Sequence, residues 1–429
     1  MGTWEPRHWE SEVDSGVPRR ERRSGEFCAY IPDLLTDAPL TLSSSTSRLL
    51  AEAESAVRRL DRRSANGLAS LSRFLLRSEA IASSRIEGIA PSAKKIALAE
   101  LGQSEDVEGL SDTAILVANN MTAVRDASQR VADTGAITTD HLLELQRSLL
   151  TDAPRLHGVR TAQNWLGGSS HHPFDAEFVP PAPDHVQGLL DDLVDYMNGA
   201  AHSPIVHAAL THAQFETIHP FADGNGRVGR AIIHTLLTRR GLTASSILPV
   251  SLIFATFRDE YIQGLTAYRR DGSAESQQTV DGKETWIVVF AEAVLHAADR
   301  AEELADDIDV LRDEWTTLIT DHRRAEGRSR ALRSDSAVTL ILNELPGTPV
   351  LTPAAVTRIH DVSSQAAHTA LDTLHAAGIL ETASIGRGRR AYLSSDLLNL
   401  ISVAERKLAS TRFDTRLSPP NRPAPARPS

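Results

Sequence analysis

The sequence HPFADGNGRVGR occupies residues 219–230 and places a histidine, an acid, two glycines and two arginines within one short segment. A buried core segment does not hold this much charge, and an ordinary turn requires only part of this composition. Apolar positions at Val228, Ile232 and Leu236 indicate that a helix begins within the segment and continues beyond it. The segment therefore predicts a polar loop followed by the first turn of a helix, a place where proteins often bind anions.

The second half of the segment has the residues that a polyphosphate requires. Arg227 and Arg230 are three positions apart, so both guanidinium groups lie near one another on the first helical turn. Gly224, Asn225 and Gly226 precede them and allow positive φ and close backbone approach, so that several N–H groups can converge on an anion. The positive helix end and bidentate arginine contacts add to this attraction. The pattern predicts a pocket for a nucleotide di- or triphosphate.

Two further side chains indicate chemistry beside the phosphates. Asp223 would repel a phosphate unless a cation lay between them, and Mg²⁺ binds carboxylate and phosphate oxygens together. His219 follows a predicted helix that Pro220 interrupts, and a neutral imidazole there can accept a proton from an attacking hydroxyl. Each feature alone is more often structural than functional. Their combination in one short segment favours a function.

The segment matches the signature of the Fic family: a histidine, any residue, Phe, any residue, Asp or Glu, then Gly-Asn-Gly-Arg, two free positions and Arg. Upstream, RTAQNWLGG and EFVPP resemble the β-hairpin of that family, with short strands expected at 163–166 and 177–179. The resemblance covers most of residues 26–300. It implies a mainly α-helical bundle with a small β-hairpin flap, and an enzyme that transfers AMP from ATP to a Ser, Thr or Tyr hydroxyl of a target protein or of itself.

By that resemblance, His219 is the general base and Asp223 is the Mg²⁺ ligand. Flap residues Leu166, Gly167 and Gly168 would align the backbone of the target by strand addition. The residues implied in nucleotide binding are Gly224, Asn225, Gly226, Arg227, Arg230 and Tyr261, where Asn225 steadies the α-phosphate and Tyr261 is an aromatic residue near the base.

The sequence SSRIEG at residues 83–88 is a second motif. Taken alone, it predicts a helix C-terminus with Gly88 as its stop. It also resembles the inhibitory helix of the family, a Ser or Thr, three residues, a Glu, then Gly or Asn, which Ser83, Glu87 and Gly88 match. The resemblance implies that Glu87 pairs with Arg230 in place of the γ-phosphate and inhibits the enzyme. In some relatives the same glutamate supports removal of AMP, and this alternative stays open.

Residues 335–402 predict two helices, a turn and a hairpin with the basic tip GRGRR, and resemble a winged helix-turn-helix. Two interpretations are equally supported. In the first, the second helix enters the major groove of DNA and basic tip residues contact phosphates. In the second, the domain docks a target protein or another copy of the chain, because the exposed face of the second helix is not basic. The candidate DNA contacts are Gln365, His368, Arg387, Arg389 and Arg390.

Composition limits the remaining possibilities. The net charge of −11 argues against a protein that coats nucleic acid non-specifically. The sequence has no apolar run long enough to span a membrane and no secretory signal pattern at its N-terminus. Cys28 is the single cysteine, which excludes an internal disulfide and a cysteine-based zinc site. These features predict a cytoplasmic protein that does not bind membranes.

A chain of 429 residues is expected to contain more than one domain. The predicted divisions are a disordered N-terminus at 1–25, an N-terminal helical region at 26–110 with the inhibitory helix at about 70–88, a Fic core at 111–300, a linker helix at 301–334, the winged helix-turn-helix at 335–402 and a disordered tail at 410–429. The motif is also compatible with transfer of UMP, phosphate or phosphocholine, and with a nucleotide-sensing, DNA-binding regulator. Family members often dimerise, so the resemblance is also compatible with a homodimer.

Overall fold

The computed structural model of the chain describes residues 2–11, 16–36, 40–65, 69–133, 135–199, 201–244, 247–273, 276–328, 330–401 and 403. These residues form a mainly α-helical protein, as the sequence predicts, with two small antiparallel sheets. The tail predicted at 410–429 lies outside the described residues. Within the described segments, none of the helices combines the length and apolarity that crossing a bilayer requires.

The helices of the main body form one bundle. Their bounds are α1 Ser44–Ala65, α2 Ala69–Ile86, α3 Ala93–Gly102, α4 Asp112–Asp133, α5 Thr139–Leu149, α6 Pro183–Asn198, α7 Pro204–Ile218, α8 Asn225–Arg239, α9 Val250–Thr256, α10 Arg258–Tyr268 and α11 Gln277–Ala325, with 3₁₀ turns at Arg19–Glu21 and Pro154–Leu156. Every residue of α7 from Ile205 to Ile218 is buried, so this helix is the centre of the bundle. Helices α6, α8 and α11 pack around it.

The N-terminus is ordered where disorder is predicted. Strands β1 (Thr3–Trp9) and β2 (Gly25–Ile31) form an antiparallel hairpin in full register. Trp9 packs edge-on against Trp165 with ring centroids 5.1 Å apart, and Tyr30 N donates to Val179 O at 3.0 Å. Aromatic contacts with residues far along the chain thus order a charge-dense segment. The prediction of a disordered N-terminus is wrong for the described part of 1–25.

Helix α11 crosses the boundary predicted at residue 300. A buried stripe continues from Trp286 through Ala297 and Ala301 to Trp315, so the same face stays covered along the helix. Helix α1 packs along α11, and α7, α9 and α10 also pack against it. The predicted linker helix is therefore the second half of one continuous element.

The C-terminal elements are α12 Ala337–Glu344, β3 Val350–Leu351, α13 Pro353–His360, α14 Ser364–Ala376, β4 Glu381–Gly386 and β5 Arg389–Leu393. The strands pair antiparallel in the order β3-β5-β4. Thr352 and Ser363 cap α13 and α14 by accepting from the backbone N–H three residues on. Helix α12 and the short strand β3 are additions to the predicted pair of helices and hairpin.

Candidate functional site

Residues 219–230 fold into a tight loop between two buried helices. His219 directly follows α7 in the left-handed region, with φ 49°. The chain enters α8 at Asn225, after Gly224 at φ 85°. A positive φ is uncommon and strained for a histidine, so tertiary contacts must hold it there. We call residues 220–226 the anion loop.

The anion loop is held by hydrogen bonds to its own backbone. Asn225 Oδ1 accepts from Phe221 N at 2.9 Å, and Asn225 Nδ2 donates to Phe221 O at 2.8 Å. Gln146 Nε2 donates to Asp223 O at 3.3 Å, and the Phe221 ring is fully buried. Both ends of the Asn225 amide therefore bind the loop, and the phosphate contact predicted for this residue stays a prediction.

His219 is mostly buried among positive charges. Burial lowers the pKa of its imidazole to about 4, and Arg269 and Arg160 shift it in the same direction. Its carbonyl accepts from Arg160 Nε at 2.9 Å and from Asn164 Nδ2 at 3.3 Å, which fixes the backbone that carries the ring. The imidazole is therefore neutral near pH 7 and has the free electron pair that a general base requires.

Glu216, one turn before His219, is a buried acid that the motif does not mark. Its Oε2 lies 3.9 Å from His219 Nδ1. Burial raises the pKa of Glu216 to about 7, against the attraction of Arg230. Arg269 Nη2 donates to the Glu216 carbonyl at 3.4 Å. An acid three residues before the histidine on a buried helix was the sequence signal for this contact.

Arg227 has unpaired donors at the anion loop. It is 3% exposed, and its Nε and Nη1 have no hydrogen-bond partner among the described residues. Buried charged donors without partners destabilise a fold, and a bound anion would satisfy them. The nearest acid is Asp223, whose Oδ1 lies 3.8 Å from Arg227 Nη2 and whose side chain is 53% exposed. The loop therefore fits the phosphates of a nucleotide.

Asp223 fits a metal that is shared with those phosphates. Its Oδ1 accepts from Gly224 N at 2.6 Å, and the exposed carboxylate has further lone pairs available. Within the described ranges, no group of three His, Cys, Asp or Glu side chains forms a metal cluster. Mg²⁺ is commonly held by one carboxylate together with substrate phosphates. Asp223 would hold it in that way here.

Arg230 is occupied by the end of α2. Its Nη2 donates to Glu87 Oε1 and to Ser83 O, both at 2.8 Å, and its Nε donates to Ser83 Oγ at 2.9 Å. Burial opposes the charged form of Glu87, but Arg230 and Arg227 hold the pKa of its carboxyl below the usual range. A Cβ on Gly226 would overlap Glu87 Oε1 and lie 2.8 Å from Arg230 Nη1. Gly226 is therefore needed for close approach, whereas positive φ occurs at Gly224.

Helix α2 is fixed to the bundle by polar contacts that the sequence does not reveal. Buried Glu79 pairs with His234 Nε2 at 2.8 Å and accepts from Ser251 N at 2.8 Å. Asn120 Nδ2 donates to Ser84 Oγ at 3.3 Å. These contacts connect α2 to α4, α8 and α9. Gly88, at φ 79°, ends α2 as predicted.

The flap is shorter than the two predicted strands. Leu166 and Phe178 form one antiparallel bridge, with Leu166 N donating to Phe178 O at 2.8 Å. Gly167 and Gly168 turn the chain at φ 74° and 70°. The Arg269 guanidinium lies over the Phe178 ring at 3.7 Å, which connects the flap to the residues around the histidine.

Tyr261 lies inside the core and not on the anion loop. Its hydroxyl hydrogen-bonds His212 Nε2 at 2.9 Å, and its ring stacks on Phe254 at 4.5 Å. It is 3% exposed. The nucleotide contact predicted for Tyr261 stays a prediction, since the ring is buried in the core and its hydroxyl hydrogen-bonds His212.

The basic tip of the C-terminal hairpin is paired with acids of the α3–α4 connection. Arg387 Nε lies 3.1 Å from Glu108 Oε1, and Arg389 Nη2 lies 3.2 Å from Asp106 Oδ2. Glu108 N also donates to Ile385 O at 3.1 Å, so the backbone takes part in this docking. The tip therefore contacts the main body, while the Arg387 and Arg389 side chains stay 77% and 40% exposed.

Helix α14, which is predicted to contact DNA, has an exposed surface. Gln365 and His368 are exposed on its surface. Asp372, on the same helix, accepts from Tyr392 Oη at 2.6 Å and lies 3.7 Å from Arg390 Nη2. An acid at this position reduces the attraction of the surface for phosphate.

One segment of the chain is similar in sequence to known proteins. Residues 136–237 match the model of the Fic/DOC family. The chain is 35% identical over 119 residues to the protein adenylyltransferase fic-1 of Caenorhabditis briggsae, and 35% identical over 108 residues to the protein adenylyltransferase Fic of Drosophila willistoni. These matches cover 27% and 24% of this chain, and 22% and 20% of those proteins, so the chain spans about a fifth of the length of these curated relatives.

A solved structure extends the similarity of fold. A Fic family protein from Desulfovibrio desulfuricans superposes with a TM-score of 0.51 at 20% identity, over 84% of this chain and 98% of that one. The shared fold therefore covers most of the chain, and not the matched segment alone.

Proposed function

Because residues 136–237 form a Fic domain, we propose that this chain transfers AMP from ATP to a hydroxyl group of a protein. The observation that supports this most is the juxtaposition of a neutral His219 with the unpaired donors of Arg227 at one loop. The two relatives matched at 35% identity over this region are named protein adenylyltransferases.

The proposed reaction uses each residue of the loop in turn. The target hydroxyl attacks the α-phosphorus of ATP, and its proton passes to the neutral imidazole of His219. The bond from the α-phosphorus to the bridging oxygen breaks, and pyrophosphate leaves. Arg227 and the backbone of the anion loop bind the charge on the phosphates. Mg²⁺ at Asp223 would neutralise part of this charge when bound.

The same site is proposed to be inhibited by its own helix. Arg230 is the residue expected to receive the γ-phosphate, and Glu87 and Ser83 occupy its donors. ATP that binds beside this pair would have misplaced phosphates, and misplacement by about 1 Å costs roughly a hundredfold in rate. We expect wild type to have almost no AMP-transfer activity. Removal of AMP by the same glutamate stays a prediction.

The test compares wild type, Glu87→Gly, and Glu87→Gly combined with His219→Ala, with ATP labelled at the α- or the γ-phosphate. The matched control is Glu52→Gly, an exposed glutamate of α1. The expected result is α-label on protein in Glu87→Gly only, lost without His219. Transfer of γ-label alone would indicate a kinase. Failure of both labels with ATP bound would favour a nucleotide sensor or another donor, such as one that supplies UMP or phosphocholine.

Residues 335–402 are proposed to be a winged helix-turn-helix that docks proteins. The element order and the β3-β5-β4 sheet support the assignment. The pairing of Arg387 and Arg389 with acids of the same chain favours protein docking over DNA binding. The cytoplasm as location, self-modification and a homodimer remain predictions of this proposal.

A further inference from the structure

A cavity of about 600 Å³ lies between α2, α3 and the C-terminal elements, away from the anion loop. Volumes of this size are typical of small-molecule sites. Its apolar wall includes Leu76, Leu101, Met121 and Val350. The charged residues that line it are Arg73, Arg77, Arg125, Arg358, Glu100 and Glu344. The lining therefore combines an apolar surface with an excess of positive charge.

Arg77 is the feature that suggests a ligand. The side chain is 2% exposed. Its Nε and Nη2 donate to Glu100 at 2.6 and 3.0 Å, and Nη2 also donates to Gly347 O at 3.1 Å. Its Nη1 is buried and has no partner among the residues that the structure describes. A buried guanidinium donor without a partner costs free energy, and an anion in the cavity would remove that cost.

The other arginines leave room for such an anion. Arg73 is paired with Glu344 at 2.9 Å, while Arg358 hydrogen-bonds Ser104 Oγ at 3.0 Å and is half exposed. Arg125 Nε lies 3.0 Å from Asp126 Oδ1 and Arg358 Nη1 lies 4.0 Å from Glu105 Oε1, and the two arginine side chains are 41% and 52% exposed. Arg125 and Arg358 are therefore partly exposed cations, held by weak surface pairs, around a cavity that contains the buried donor of Arg77.

We propose that this cavity binds a small organic anion, a carboxylate or phosphate on an apolar body, and that its occupancy is coupled to the inhibitory end of α2. Arg77 and Ser83 lie on the same helix, six residues apart, or about 9 Å along its axis. An anion bound at the free Nη1 adds a partner to a guanidinium that Glu100 and Gly347 already hold through Nε and Nη2. It therefore changes the contacts that position α2, and α2 also carries the partners of Arg230.

The test uses anilinonaphthalene sulfonate, an aromatic anion that becomes fluorescent on binding, with the full chain and without ATP or target. The first variant is Arg125→Glu with Arg358→Glu, and its matched control is Arg48→Glu with Arg58→Glu, two exposed arginines of α1. The second variant, Met121→Trp, fills the cavity without changing charge. Circular dichroism and thermal midpoints establish that each variant folds.

Saturable binding to wild type is expected, weakened at least about tenfold by the paired reversal and by Met121→Trp, and unchanged in the control. The proposed site is wrong if wild type does not bind the probe saturably. It is also wrong if both cavity variants bind the probe with the affinity of wild type.

The coupling is measured in Glu87→Gly, where the contact with Arg230 is lost. A changed affinity for the probe is expected, and an unchanged affinity overturns the coupling. Only the consequence for activity rests on the proposed function. Because the readout is fluorescence of the probe, failure of AMP transfer leaves the result interpretable.

Discussion

Ser83 binds Arg230 through both its side chain and its backbone: Oγ accepts from Nε at 2.9 Å, and the carbonyl accepts from Nη2 at 2.8 Å. The inhibitory contact is therefore more than the ion pair with Glu87. A residue at the end of α2 fixes the orientation of the guanidinium, and the carboxylate then completes its coordination.

Replacing Ser83 by alanine should release the inhibition in part. The lost hydrogen bond is to a charged group and is worth about 1.5 kcal/mol, so self-modification should rise about tenfold and stay below that of Glu87→Gly. Incorporation of α-labelled AMP measures this. The control is Ser84→Ala, which removes a buried hydroxyl bonded to Asn120 instead. Equal effects of both variants would show that the response reflects general loosening of α2.

Gly226→Ala should destabilise the protein through its contact with Glu87. The new Cβ would overlap Glu87 Oε1. Overpacking typically costs about 1–3 kcal/mol, so the loss should be large in wild type and smaller in the Glu87→Gly background. Urea unfolding of the four proteins of this cycle gives the two losses. The same loss in both backgrounds would mean that the clash with Arg230, and not with Glu87, determines the cost.

The anion loop could be predicted because its chemistry is local. His219, Asp223, Arg227 and Arg230 lie within one short segment, so spacing alone brings their side chains to one place. The end of α2 was predictable for the same reason, since Ser83, Glu87 and Gly88 are one helical turn and its stop.

The contacts that hold this site could not be predicted, because their partners are distant in sequence. Glu79 and His234 are 155 residues apart, and Arg389 and Asp106 are 283 apart. No local pattern selects one acid among many for such a pair. The hairpin of β1 and β2 was missed for the same reason, because its order depends on Trp165 and Val179.

Glu216→Gln should stabilise the protein more at high pH than at low pH. Burial raises the folded pKa of Glu216 from 4.5 to about 7. Between these values the unfolded state loses the proton and the folded state keeps it, so wild type loses stability as pH rises through this window. Glu216→Gln has no carboxyl to ionise, so it does not lose this free energy of unfolding, which amounts to roughly 3 kcal/mol. Unfolding free energies of both proteins at about pH 4, 6 and 8 test the sign. A difference that does not vary with pH would contradict a raised pKa.

The pH profile of transfer should reflect a base that is neutral over most of the accessible range. The pKa of His219 is lowered to about 4 by burial, so activity of Glu87→Gly should persist to about pH 5 and fall as the imidazole is protonated. Initial rates of α-label incorporation at fixed ionic strength give the profile. The same profile in Glu87→Gly with Glu216→Gln identifies any limb near pH 7 that belongs to Glu216. A limb near the usual histidine pKa that persists in this double variant would contradict the lowered value.

Neutralising the acids beneath the basic tip should create affinity for DNA that wild type lacks. In the structure Arg387 and Arg389 are compensated by Glu108 and Asp106, so they offer little net charge to a phosphate. Asp106→Asn with Glu108→Gln frees both arginines. Two new phosphate contacts predict a salt dependence with a slope of about −1.8 in log–log form. Fluorescence anisotropy with a short labelled duplex measures it, and Asp112→Asn with Glu144→Gln is the matched control. Tight, sequence-specific binding by wild type would instead mean that the tip leaves its acidic partners when DNA is present, and that the domain binds nucleic acid.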